Sequence, residues 1–72
     1  MMPLMIAPLG IDLSIKKVLG DEKVRRHLEA LGIVPGRPIQ ILSSTKNGLI
    51  LLVNQSRLAL DEDAVRNIYV EA

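Results

Sequence analysis

Aliphatic residues recur along the chain in short runs bounded by Gly, Pro, Asn and Asp, and the spacing inside each run predicts its element. Leu13 to Leu19 reads as a first strand. Leu13, Ile15 and Lys17 fall on one face and Ser14, Lys16 and Val18 on the other, an imperfect alternation that leaves the inward face open. Gly20-Asp21 stops the strand, and Asp21 is placed to cap a helix whose first turn holds Glu22. Val24, Leu28 and Leu31 follow at i, i+4 and i+7 as one apolar stripe. Gly32 suits a left-handed helix cap, with Ile33 folding back on the helix. Val34-Pro35-Gly36-Arg37 then carries the Pro-Gly centre of a type II turn.

The second half predicts a meander. A strand from Pro38 to about Ser44 puts Ile39 and Ile41 on one face, and Lys46-Asn47-Gly48 supplies the Asn-Gly signal of a tight hairpin. Leu49 to Val53 is a continuous apolar run of strand length, and Asn54-Gln55-Ser56 turns the chain again. Arg57 to Leu60 alternates with Leu58 and Leu60 inward. Asp61 caps a single helical turn, with Leu60 and Val65 spaced as a hydrophobic staple. Ile68 to Glu71 closes as a short strand. The fold class expected is mostly β with one main helix. Five short strands in so small a chain favour a barrel, because closure hides sheet edges.

Composition narrows the chemistry. Leu, Ile and Val supply 26 of 72 residues, enough for one small core and well clear of a disordered composition. Nine basic residues face eight acidic ones, and a net charge of +1 is a weak electrostatic footprint for nucleic acid. The absence of Cys excludes disulfides, thiolate metal sites and Cys nucleophiles, and it fits a reducing, cytoplasmic setting. Met1 to Ile11 is apolar, but it is too short to span a bilayer and holds Pro3, Pro8 and Gly10. It reads as a mature N-terminus lying over the core, with Pro8-Leu9-Gly10 as a turn and no insertion into a membrane. No nucleophile, base and orienting group form a set, and Gly32-Ile33-Val34-Pro35-Gly36 lacks the Lys-Ser/Thr of a P-loop. Enzymatic activity is not expected.

Val24-Arg25-Arg26-His27-Leu28-Glu29-Ala30-Leu31-Gly32-Ile33-Val34-Pro35-Gly36 resembles the signature of FeoA-type proteins, small accessory components of bacterial ferrous iron transport. The resemblance extends in order to the strand holding Ile39, Ile41 and Leu42, to the Asn-Gly hairpin and to the Arg57–Leu60 and Ile68–Glu71 strands. The Pro8-Leu9-Gly10 opening is also similar to the family's N-terminus. It implies an SH3-like barrel as a single domain over residues 1–72, with a helical insertion between the first two strands. It also implies a cytosolic partner of a membrane ferrous-iron transporter that carries a GTPase domain. Related domains occur at the C-terminus of metal-dependent repressors, but no helix-turn-helix region precedes this barrel, so a repressor is not expected.

The candidate residues divide by chemistry. His27 is the single histidine, a residue type that serves in metal and acid-base sites, yet no second His, Cys or HxxE-like spacing supports a metal site. It reads as a residue flanking the apolar stripe, and no metal or other cofactor is assigned. Asp61-Glu62-Asp63 reads as a helix cap, since the spaced acids of an EF-hand are missing. Lys16, Lys17, Lys23, Arg25, Arg26 and Arg37 gather the basic charge in the first half. With no Phe or Trp and only Tyr69, stacking platforms for RNA or single strands are lacking. An acidic partner surface, or an anionic membrane leaflet near a transporter, is the better match.

In Leu49–Val53, either Leu49, Leu51 and Val53 or Ile50 and Leu52 must point outward. Covered by the helix or the N-terminal segment, the outer set is core. Left uncovered, it marks a contact with a partner or a second copy. The residues expected to meet a partner are Arg26, Leu28, Leu31, Pro35, Gly36 and Arg37 on the helix and turn, with Ile50 and Leu52 on the strand. Two other functions compete with docking on the transporter: a transition-metal sensor or carrier with a site shared between subunits, and, more weakly, a nucleic-acid-binding barrel.

Overall fold

The computed structural model describes residues 1–72, and its elements follow the aliphatic runs with two additions. A two-residue strand β1 (Met2–Pro3) and a 3₁₀ turn (Leu4–Ile6) precede β2 (Leu13–Val18) and helix α1 (Glu22–Ala30). Strands β3 (Pro38–Thr45), β4 (Gly48–Val53) and β5 (Ser56–Asp61) form the meander. One helical turn, α2 (Glu62–Val65), leads to β6 (Ile68–Glu71). All six strands join one antiparallel sheet in the order β1-β6-β2-β3-β4-β5. The sheet curls as a small SH3-like barrel but does not close, so β1 and β5 remain edges. The expected mostly β, SH3-like barrel of about five strands is thus found, with the short β1 as a sixth strand and the sheet left open. Met2–Pro3 carries no strand-length apolar run, and it pairs only because β6 offers an edge to it.

Bulges explain why the alternation along two strands is broken. In β2 the register against β6 shifts between Ile15 and Lys17, so Lys16 is the extra residue. Leu13 and Ile15 are buried before the shift, and Val18 packs against the core after it. In β3 the register against β4 shifts between Ile41 and Ser43, which leaves Leu42 unpaired and 37% exposed.

The core is a single cluster of fourteen aliphatic residues and contains no polar side chain. Ile15, Leu28, Leu51, Ile68 and Val70 have no exposed surface. From the N-terminal segment only Leu4 is buried; Ile6, Leu9 and Ile11 stay exposed, so the segment covers less of the core than its composition suggests. Gly10 nevertheless ties it to β3, its N–H donating to the Ile41 carbonyl at 2.9 Å.

Candidate docking surfaces

The helix and turn that carry most of the expected contact residues are fixed by local hydrogen bonds. The Asp21 carboxylate accepts from the Val24 N–H at 2.9 Å and caps α1. At the other end the Gly32 N–H donates to the Glu29 carbonyl and the Ile33 N–H to the Leu28 carbonyl, both at 2.9 Å. With Gly32 at φ +91°, this is a Schellman ending that turns Ile33 into the core. The Arg37 N–H closes the type II turn on the Val34 carbonyl at 3.2 Å, with Gly36 at φ +89°. The Gly36 N–H and Arg37 carbonyl then bond to Ile15 of β2, holding the turn against the sheet.

These constraints separate the expected contact residues. Arg26 is exposed, forms an i,i+4 ion pair with Glu22, and shares a shallow depression with Val34 and Pro35. Gly36 is exposed beside Pro35. Arg37 is half-buried, and its guanidinium donates to the Gly32 carbonyl at 3.4 Å, so part of its work is holding the helix end. Leu28 has no exposed surface and is a core residue, not a contact residue: position i+4 of the stripe faces the sheet squarely. Leu31 is half-buried and lines a different groove, between α1 and β5.

The apolar run of β4 resolves into two faces. Leu49, Leu51 and Val53 are buried, while Ile50 and Leu52 are half-buried on the outer face, where Asp12 reaches Gln40 beside Leu52. Their cross-strand neighbours are Ser43 and Ala59 for Ile50, and Gln40 and Arg57 for Leu52. The bulged Leu42 joins Ile50, Ala59 and Arg57 around one depression on this face. Leu52 and Arg37 line another. The eight residues are therefore spread over several surfaces, and no depression unites the helix and turn with Ile50.

The groove between α1 and β5 was not apparent from the sequence. Val24, His27 and Leu31 form one wall, Leu58, Ala59 and Leu60 the other, around a volume of about 660 Å³. Its sequence signal is the strand-length run Arg57–Leu60, which pairs with β4 on one side and leaves its other side as an edge. His27 is exposed on the groove's rim. No three His, Cys, Asp or Glu side chains are placed to hold a metal ion. Asp61 is engaged as the cap of α2, accepting from the Ala64 N–H at 2.9 Å. No helix is long and apolar enough to cross a membrane.

The chain is similar to several solved structures. An iron uptake regulatory protein, FeoA, in a monoclinic crystal form is 28% identical, with a TM-score of 0.86 over 96% of this chain and 93% of that one. A FeoA-like protein from Clostridium acetobutylicum is 24% identical, with a TM-score of 0.84 over 97% and 84% of the two chains. ScaR with bound Cd2+ is 23% identical, with a TM-score of 0.90 over all of this chain but only 36% of its own, a likeness of fold alone. No curated protein matches the chain. The FeoA domain model matches residues 2–72, and the chain belongs to the FeoA domain family.

Proposed function

We propose that the chain is a non-enzymatic accessory module of ferrous iron uptake that docks on the cytosolic, GTPase-containing part of a membrane ferrous-iron transporter. Family membership supports the iron-transport setting, as does the fold it shares with iron(II) transport protein A from Clostridium thermocellum, which is 22% identical. The observation that carries docking is the outer face of β3–β5. Leu42, Ile50, Leu52 and Ala59 leave aliphatic surface in solvent there although the chain already buries fourteen aliphatic residues elsewhere. An apolar patch rimmed by Gln40, Ser43 and Arg57 is suited to a protein partner. Arg37, which lines a depression with Gln40 and Leu52, extends the contact at its margin, and Arg26, Pro35 and Gly36 offer a separate contact surface.

An anaerobic NMR titration of the labelled chain with the transporter's cytosolic part tests this, with and without Fe(II). Docking predicts metal-independent shifts on Leu42, Ile50, Leu52 and neighbouring residues, weakened at least tenfold in Ile50→Glu. Shifts produced by Fe(II) alone and centred on His27 would instead make this a metal-binding sensor or carrier. Steep salt-dependent binding to nucleic acid without transporter binding would also overturn docking.

A further inference from the structure

The two edges of the sheet are protected very differently. Strand β1 is two residues long and ends in Pro3. Strand β5 is six residues long, Ser56-Arg57-Leu58-Ala59-Leu60-Asp61, in unbroken register with β4. It contains no Pro, no Lys and no bulge, the usual devices that stop an edge from pairing. Asn54 and Gln55 both take positive φ, so β4 and β5 are joined by a two-residue type I′ turn closed by Val53 and Ser56. That turn sets the parity of the ladder. Ser56, Leu58 and Leu60 bond to β4, while Arg57 and Ala59 direct N–H and C=O to the open side. No backbone bond outside the regular elements, and no side-chain bond, reaches residues 57–60.

The groove lies along this edge. Neighbouring residues of a strand point to opposite faces, yet Leu58, Ala59, Leu60 and Asp61 all line it, so it follows the strand's side and not one of its faces. A strand added beside β5 would lie roughly 4.7–4.9 Å away, between β5 and α1. Its inward side chains would meet Val24, Leu31 and Leu58, and its outward ones would continue the aliphatic face of Ala59 and Ile50. Lys23, on the helix wall, has no ion-pair partner, whereas Asp61 caps α2 and Asp63 lies 4.0 Å from Arg66. Lys23 is therefore the cation of the groove left free to meet a carboxylate, with Asp61 and Asp63 also on the rim. A second copy fits less well, because its own β5 brings α1 with it into the same space.

We propose that β5 accepts an extended segment of the partner protein as a seventh strand, apolar at alternate positions and carrying a carboxylate that meets Lys23. Such strand addition presupposes the docking function proposed above and specifies how it is achieved.

Amide hydrogen exchange of the full chain tests it with two probes. The first is the transporter's cytosolic part. The second is an acetylated eight-residue peptide alternating Val and Thr behind an N-terminal Glu, compared with the same peptide N-methylated at alternate residues. Strand addition predicts at least tenfold protection of the Arg57 and Ala59 amides by both probes, and none by the N-methylated peptide. Ala59→Pro removes an outward donor without breaking the ladder to β4, and should weaken binding at least tenfold while Ala59→Val does not. Exchange in the unmutated chain carries the test if Ala59→Pro fails to fold. Transporter binding with protection confined to Ile50 and Leu52 would overturn strand addition and leave docking standing. Peptide protection without transporter binding would uphold the edge as a strand acceptor and overturn the transporter as its partner. No protection of Arg57 and Ala59 by either probe would overturn strand addition, and protection that grows with the chain's own concentration would give the edge to a second copy.

Discussion

Gly48 shows how one residue type can answer two different physical demands. Asn47-Gly48 looks like the centre of a type I′ hairpin, but the turn residues are Lys46 and Asn47, and Gly48 is the first residue of β4 without positive φ. Its glycine is required by space: a Cβ there would stand 1.9 Å from the Leu60 carbonyl oxygen and 2.8 Å from the Asp61 Cα. At Gly36 the demand is reversed, with φ +89° and nothing within 4 Å of an added Cβ. Urea unfolding should separate them. Gly36→Ala should cost roughly 1–2 kcal/mol from the left-handed backbone. Gly48→Ala should reach or exceed the upper end of the roughly 1–3 kcal/mol that overpacking costs, because the obstacle is backbone. The true type I′ turn holds Asn54 and Gln55, at φ +52° and +64°. Gln55→Gly should therefore stabilise the chain by roughly 0.5–1 kcal/mol, the relieved strain less the added freedom of the unfolded glycine.

Among the elements, those written by local chemistry were legible and those set by neighbours were not. The Asp21 cap, the Schellman ending at Gly32 and the Pro35-Gly36 turn each close within a few residues, so their residue types announce them. The bulges at Lys16 and Leu42 exist only relative to a partner strand, and they re-aim the residues that follow. The same holds for β1, for the outward facing of Ile50 and Leu52, and for the open side of β5. Arg26 and Pro35, which sit on local motifs, are exposed as a contact would require, whereas at Leu28 burial decides and the side chain is core. The caps give an element-scale prediction. Asp21→Ala and Asp61→Ala each remove one acceptor of a helix N–H and should each cost about 1 kcal/mol. Asp61→Ala acts at the junction of α2 with the β5 edge, so its exchange rates should rise around Ala64 and leave α1 unchanged.

At the scale of the molecule, one aliphatic core supports everything, and this bears on how loss of function is to be interpreted. A chain of 72 residues has on the order of 4–11 kcal/mol of stability. Leu28→Ala, at a fully buried site, should remove roughly 2–5 kcal/mol of it, so lost binding in that variant would report unfolding and not a contact. Arg26→Ala is the informative counterpart. Its pair with Glu22 is 76% and 70% exposed, worth about 0.3–0.5 kcal/mol, so any larger loss of affinity belongs to the interface. The same economy of stability makes metal binding easy to detect. A ligand bound to the folded chain at a hundred times its Kd adds about 2.7 kcal/mol, and in a domain of this size each kcal/mol moves the Tm by roughly 4–8 °C. Fe(II) bound tightly as cargo or signal should thus raise an anaerobic Tm by more than about 10 °C. A docking module with an entirely aliphatic core should show no such rise with Fe(II), but should show one with the transporter's cytosolic part, because only the partner has differential affinity for the folded surface.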